Sequence, residues 1–389
     1  MITRFEDLRA VSALLRRYPV VGILGARQAG KSTLAARIAR RSRGGSSFFD
    51  LEDPATLGRL SDPMLALREL RGLVVLDEIQ LAPGLFPVLR VLADRPRRPA
   101  RFLVLGSASP DLLRQGSETL AGRIRYHTLD GFSLADVGAG NAKRLWLRGG
   151  FPLSYTAPSD AASHDWRAGF VATFLQRDLP QLGIRLPAET MRRLWTMIAH
   201  SHGQVWNSHD MAGNFGVADT TVRAWLDHLV GALVVRILHP WHENLGKRQV
   251  KSPKVYVSDT GLLHALLNHR SLDDLMSSPK VGSSWEGFAI GQVARRLRAS
   301  PEECFFWATH NNAELDLLVV RGRRRLGFEV KLSEAPAVTP SMKIALADLK
   351  LDRLDVIHAG EATYPLAPGI RAVAMKRLWS DVEVLPGGI

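Results

Sequence analysis

The stretch Gly25-Ala26-Arg27-Gln28-Ala29-Gly30-Lys31-Ser32 is the first place in the chain where residue type and spacing together specify chemistry. It satisfies G-x-x-x-x-G-K-[ST], in which glycines let the backbone turn so that its N–H groups, with the amino end of a following helix, face a polyphosphate. Lys31 then reaches the β and γ phosphates, and the Ser32 hydroxyl, followed by Thr33, is placed for Mg²⁺. The pattern is specific only between a strand and a helix. Here apolar Val20-Val21-Gly22-Ile23-Leu24 precedes it and helix-forming Leu34-Ala35-Ala36-Arg37-Ile38 follows. A second apolar run, Leu73 to Leu76, ends in Asp77-Glu78. Asp77 suits the Mg²⁺ shell, and Glu78 suits polarisation of an attacking water. A third run, Phe102 to Leu105, ends in Gly106-Ser107, where a hydroxyl can sense a γ phosphate. The expected cofactors are ATP and Mg²⁺.

A second constellation lies near the carboxyl terminus: Glu286 in a helical stretch, Asp316 in an apolar strand, and Glu329-Val330-Lys331 in the next strand. Strand alternation puts Glu329 and Lys331 on one face, and a hairpin through Arg321-Gly322-Arg323 brings Asp316 across from it. Carboxylates so placed can hold a metal ion, with Glu286, Asp316 and Glu329 as ligands, while Lys331 stabilises charge on a phosphate or hydroxide. An acid-x-Lys pair alone is weak, since Asp348-Leu349-Lys350 also matches. The strand setting and the upstream acids give it content. Arg321, Arg323, Arg324 and Arg325, with Arg295, Arg296 and Arg298, can track a phosphate backbone.

These residues need scaffolds, and the periodicity of the 389-residue chain supplies three. From about 18 to 135, short apolar runs without polar alternation are separated by helical segments, the pattern of a parallel sheet covered on both faces. From about 140 to 245 the pattern is mainly helical, with Trp166, Phe170 and Phe174 on one face. Within it, residues 208 to 238 read as a helix-turn-helix: Ser208 caps, Asn214-Phe215-Gly216 turns, and a second helix begins near Thr220. A wing strand, Leu233 to Ile237, and the basic run Lys247 to Lys254 would follow, an arrangement that can read DNA. Asp219 and Asp227 on the second helix weigh against it. The end returns to mixed α/β character. The expected divisions are 1–137, 138–205, 206–258 and 259–389.

Composition narrows the setting. Lys and Arg number 51 against 38 Asp and Glu, a formal charge of +13, which favours an anionic partner. The single cysteine, Cys304, excludes an intramolecular disulfide framework and reads as a buried residue at a strand start. No uncharged run of 18 apolar residues and no leader pattern occurs, so a cytoplasmic protein without membrane contact is expected.

The segments GARQAGKST, LVVLDEIQ, FLVLGSAS and LAGRI, in that order, resemble an AAA ATPase family of bacterial and archaeal proteins. The resemblance extends through RGGFPLSY, TFLQRDL, SPKVYVSDTGLL and the run from Trp285 to Lys331. It implies a P-loop AAA-type ATPase domain, a helical and winged-helix middle, and a carboxyl-terminal α/β domain like the restriction endonucleases. It further implies that Gln80 and Ser107 lie just outside the phosphates, that Arg123 completes a neighbouring subunit's site, and that the chain forms a nucleotide-dependent homo-oligomer. The expected function is an ATPase whose nucleotide state controls a domain that binds nucleic acid, DNA favoured, and carries the residues of a nuclease. The alternative is a nucleotide-dependent winged-helix regulator or a protein-interaction adaptor without nuclease activity.

Overall fold

In the computed structural model, residues 2–42, 44–96, 99–107, 116, 118–181, 183–184, 186–243, 249–310 and 313–387 are described. They form two compact units, Met1–Gly131 with Gly231–Leu233, and Phe132–Val230 with Val234–Ile389.

The first unit is built on five strands: β1 (Val20–Gly25), β2 (Ser46–Asp50), β3 (Gly72–Asp77), β4 (Ala100–Ser107) and β5 (Ile124–Thr128). All pair in parallel, in the order β2-β3-β4-β1-β5. Strands β1, β3 and β4 are apolar and buried because both faces are covered. Val20, Val74, Phe102 and Val104 pack on one side with Phe86 and Leu89, and Val21, Ile23, Val75, Leu103 and Leu105 pack on the other with Val11, Leu34 and Ile38. Parallel strands align their carboxyl ends, so the loops after β1, β3 and β4 emerge together.

The second unit holds a nine-stranded mixed sheet. Its strands are β6 (Gln204–Val205), β7 (Val235–Pro240), β8 (Lys254–Val257), β9 (Cys304–Ala308), β10 (Glu314–Arg321), β11 (Arg324–Lys331), β12 (Arg353–His358), β13 (Tyr364–Ala367) and β14 (Ile370–Ala374). Their order is β13-β14-β12-β11-β10-β9-β7-β8-β6. The hairpin expected at Arg321-Gly322-Arg323 is present, with Arg321 opposite Arg324. The boundaries expected at 205/206 and 258/259 fall within one unit, because β7 pairs with both β8 and β9 and makes the sheet continuous. Two helices lie in the stretch read as a helix-turn-helix, Ser208–Phe215 and Asp219–Gly231, with Gly216 left-handed between them. Asn207, rather than Ser208, caps the first helix, its carboxamide oxygen accepting from the His209 and Asp210 amides. The Ser208 hydroxyl instead accepts from Trp206 and Arg223.

Two of the quoted motifs prove to be structural. In RGGFPLSY, Gly149 has φ +74°, and a Cβ there would stand 2.1 Å from an Asp259 carboxylate oxygen. Asp259, from SPKVYVSDTGLL, accepts from the Gly150 amide at 2.7 Å and caps the helix Thr260–Leu266 through Leu262. The fully buried Arg167 donates to the Leu147 and Gly261 carbonyls nearby. Gly149→Ala should therefore lower the stability of the second unit by roughly 1–3 kcal/mol from backbone conformation alone, with the displaced Asp259 adding to it. Urea unfolding followed by tryptophan fluorescence measures this, and an unchanged midpoint would contradict the reading of Gly149 as obligatory.

Candidate functional site

The first site forms where β1, β3 and β4 end. A Cβ on Gly25 would stand 2.5 Å from the Leu129 carbonyl oxygen, so no side chain fits where β1 turns into the loop. Gln28 and Gly30 are left-handed, φ +62° and +97°, which curls residues 26–30 around the amino end of the helix Lys31–Ala39. Gly30 provides no side-chain cap to that helix, so the N–H groups of its first turn are of the kind that an anion can satisfy. Lys31 is buried, and its ammonium donates to the Gly25 and Ala26 carbonyls at 3.0 and 3.2 Å, which holds it across the mouth of the loop. Arg27 turns aside to Glu52 at 3.0 Å, Ala29 is buried, and Ser32 and Thr33 are exposed at the helix start.

Asp77 ends β3 in a buried position. Burial pushes its carboxyl above the usual range, opposed by the hydrogen bond from Ser32. It also accepts from the Glu78 amide at 3.0 Å. Glu78 is left-handed, φ +56°, an unusual conformation for a residue with a Cβ, and Gln80 donates to its carboxylate. Gln80 thus fixes the orientation of the expected water-polarising acid. Ser107 lies opposite Gly25 in the β1–β4 ladder, beside the loop. Ser32 hydroxyl and Asp77 carboxylate are hard oxygen donors next to a polyphosphate cradle, a donor set that fits Mg²⁺.

Arg123 is elsewhere. It precedes β5 at the start of the sheet, where its carbonyl accepts from the Val20 amide, and about 17 Å of β1 separates it from the loop. Its guanidinium is paired to Asp94 at 2.7 and 2.9 Å. It does not reach its own chain's loop. One residue that belongs to the site gave no sequence signal: Arg4, just before the first helix, is buried and donates to the Ala29 carbonyl at 3.0 Å and the Asp130 carbonyl at 2.6 Å. It ties the phosphate loop to the end of β5. In sequence it resembles any arginine flanking a helix.

The carboxyl-terminal acids are brought together. A bulge in the β9–β10 pairing between Leu315 and Leu318 turns Asp316, and its Oδ2 accepts from the Val330 amide at 2.8 Å. Lys331 donates to Glu329 Oε1 at 2.8 Å, as strand alternation requires, and Glu329 Oε2 is buried without a hydrogen-bond partner. Glu286, on the helix Val281–Leu297, accepts from the Tyr256 hydroxyl at 2.6 Å. Burial, then the neighbouring charges of Glu286 and Glu329, hold Asp316 well above the ordinary carboxylate range. Burial likewise raises Glu329, against the pull of Lys331.

The group does not present itself as a metal centre. Among the described residues, no three His, Cys, Asp or Glu side chains are arranged to hold a metal ion. The ammonium of Lys254 is there instead, 3.4 Å from Glu286 and 2.5 Å from Glu314. Lys254 is therefore not part of an exposed basic run; it alternates with Val255 on a buried strand and shares a face with Tyr256. Lys247 and Arg248 of that run lie outside the described residues. The arginine track needs the same correction. Arg321 forms a two-pronged pair with Glu303, Arg325 pairs with Glu243 at 2.7 Å and stacks over Trp241, and Arg296 donates to the Val382 carbonyl. Of the four hairpin arginines, Arg323 and Arg324 are exposed and Arg321 and Arg325 half-buried. Cys304 is buried at the start of β9, as expected, its thiol pushed up to about 12 by burial.

Comparison with known proteins agrees with this layout. Residues 17–137 match the AAA domain model, and residues 140–273 and 281–378 match two domains of unknown function, DUF8612 and DUF4143. Uncharacterized protein Rv2008c of Mycobacterium tuberculosis and uncharacterized protein Mb2031c of Mycobacterium bovis are each 50% identical over 384 residues, which covers 99% of this chain and 86% of theirs. Among solved structures, the Walker-type ATPase paby2304 of Pyrococcus abyssi aligns over 69% of this chain and 96% of its own, with 16% identity and a TM-score of 0.47. The Bacillus subtilis DNA clamp loader delta protein aligns over 58% of this chain and 88% of its own, with 13% identity and a TM-score of 0.28. Both structural likenesses are too remote to bear on activity. The extent of the mycobacterial match, with an AAA domain placed over the phosphate loop, shows that the chain belongs to the AAA ATPase family, in one line with these mycobacterial proteins.

Proposed function

We propose that the chain binds and hydrolyses MgATP, and that its nucleotide state controls the second unit. The observation that carries this is the meeting of Lys31, Ser32, Asp77 and Glu78 at one edge of the parallel sheet. The loop amides and the helix amino end bind phosphate oxygens, and Lys31 exchanges the Gly25 and Ala26 carbonyls for the β and γ phosphates. Ser32 and Asp77 would hold Mg²⁺, which supplies neutralisation of phosphate charge. Glu78, aimed by Gln80, accepts a proton from the attacking water. Ser107 senses the γ phosphate at the same edge. The protein acts in the cytoplasm, and Arg123, released from Asp94, completes the site of a neighbouring copy.

In a chain of formal charge +13, the helix-turn-helix and the exposed Arg323 and Arg324 of the second unit support binding to nucleic acid, DNA favoured. Its acid cluster supports a nuclease-like scaffold, but Asp316, Glu329 and Lys331 carry out no cleavage while Lys254 holds the acids. Specific observations favour the second reading, a winged-helix regulator or protein adaptor. Arg321, Arg325 and Lys254 are committed internally, and the second helix offers Arg223 against Asp219 and Asp227.

Lys31→Ala should weaken ATP binding at least tenfold by calorimetry, whereas Glu78→Gln should retain ATP and lose about 10²-fold in hydrolysis. Wild-type affinity and turnover in both variants would contradict these roles. Light scattering of Glu78→Gln should show assembly that depends on ATP, and Arg123→Ala in that background should reduce it. An unchanged monomer at micromolar concentration, with and without ATP, would remove Arg123 from the account.

A further inference from the structure

The acid cluster of the second unit contains four carboxyl groups, Glu286, Glu314, Asp316 and Glu329, drawn from one helix and two strands. Asp316 and Glu329 are buried, Glu286 is half-buried and Glu314 is exposed at the rim, and carboxylates this close demand positive charge where solvent screens them poorly. Lys331 contacts Glu329 at 2.8 Å from a half-exposed position and acts on Asp316 and Glu286 only at longer range. The remaining demand converges on Lys254, which is only 5% exposed.

Three features place Lys254 there by construction. It is on β8, whose register against β7 sets Lys254 opposite Leu238 and leaves Tyr256 two residues along on the same face. Tyr256 donates its hydroxyl to the same Glu286 oxygen that Lys254 approaches, so Glu286 is held towards the ammonium from two sides. The Lys254 ammonium also lies over the Phe306 ring, 5.5 Å from its centre, a second cation-binding surface. Burial disfavours the ammonium, but Glu286, Asp316 and Glu314 outweigh it and raise its pKa further above the ordinary lysine value. On the far side, Glu329 keeps one buried oxygen without a partner. That oxygen is the ligand position left over when a single lysine stands in a cluster able to accept a multiply coordinating ion.

We infer that Lys254 is the built-in cation of this cluster and excludes a divalent metal from it, so that the acids become a metal site only when the Lys254 side chain is withdrawn. The inference rests on reading Glu286, Asp316 and Glu329 as a cation site. It makes the acid cluster inert towards Mg²⁺ while the Lys254 side chain stays in place.

The test is Mn²⁺ binding by the full chain, followed by loss of the free-ion paramagnetic resonance signal, in an Asp77→Asn background that silences the phosphate-loop metal position. The Asp77→Asn protein should bind Mn²⁺ weakly. Adding Lys254→Met should tighten binding at least tenfold, and Asp316→Asn on top of it should abolish the gain. Mn²⁺ should also raise the melting temperature only of the protein carrying Lys254→Met. If removal of the lysine prevents folding, Glu314→Gln provides the second route. It loosens the 2.5 Å partner of Lys254, leaves the other three acids in place, and should produce a smaller gain of the same sign. Tight Mn²⁺ binding with Lys254 intact, lost in Asp316→Asn, would overturn the role of Lys254 while preserving the acids as a metal site. No gain in either folded variant would overturn the cation-site reading and the inference with it.

Discussion

The closeness of Ser32 to Asp77 joins the two halves of the nucleotide site, and much of the first unit exists to bring them together. Asp77 is a carboxylate at the end of a buried strand, where desolvation works against its charge. Its partner must come from another element, and a parallel sheet provides one by bringing the ends of β1, β3 and β4 to one edge. The order β2-β3-β4-β1-β5 leaves one strand between β3, which ends in Asp77, and β1, which leads through the loop to Ser32, and that strand delivers Ser107. The apolar faces covering both sides of the sheet fix the spacing. Arg4 secures the other side of the loop from a helix that precedes the sheet in sequence.

The two acid-and-lysine clusters differ in what their lysines are free to do. Lys31 is bound by two backbone carbonyls, neutral acceptors that a phosphate group can replace at little cost. Lys254 is itself buried and is bound by charged carboxylates, the half-buried Glu286 and the exposed Glu314. The first arrangement is poised for exchange with a ligand, and the second is closed by its own side chains. This contrast, rather than the presence of acids and lysines, separates the site proposed to carry chemistry from the one proposed to be closed by its own lysine.

Much of the nucleotide site could be read in the sequence because its elements are local: a glycine-rich loop between an apolar strand and a helix, and acids directly after another strand. The positions of Lys31, Ser32, Asp77, Glu78 and Ser107 follow from where strands end. Arg4 could not be found that way, since its partners, Ala29 and Asp130, are distant in the chain and are backbone carbonyls that leave no residue signature. In the second unit, alternation correctly paired Glu329 with Lys331, and the hairpin correctly faced Asp316 towards them. Lys254 was misplaced because Lys251-Ser-Pro-Lys254 reads as a solvated basic run. The cue to its burial is the following Val-Tyr-Val, which continues as a strand and puts the lysine on the Tyr256 face. The arginines at the hairpin tip misled for the same reason, since charge density in sequence does not reveal the internal acids Glu243 and Glu303 that take up two of them.

The central claim is that the edge formed by Lys31, Ser32, Asp77 and Glu78 is a working MgATP site. The most direct measurement is phosphate release from ATP by the purified chain, with Mg²⁺ and with the ion chelated. Slow, saturable release that requires Mg²⁺ is the expected result. Absence of release under both conditions, together with no detectable binding of ATP, would contradict the account.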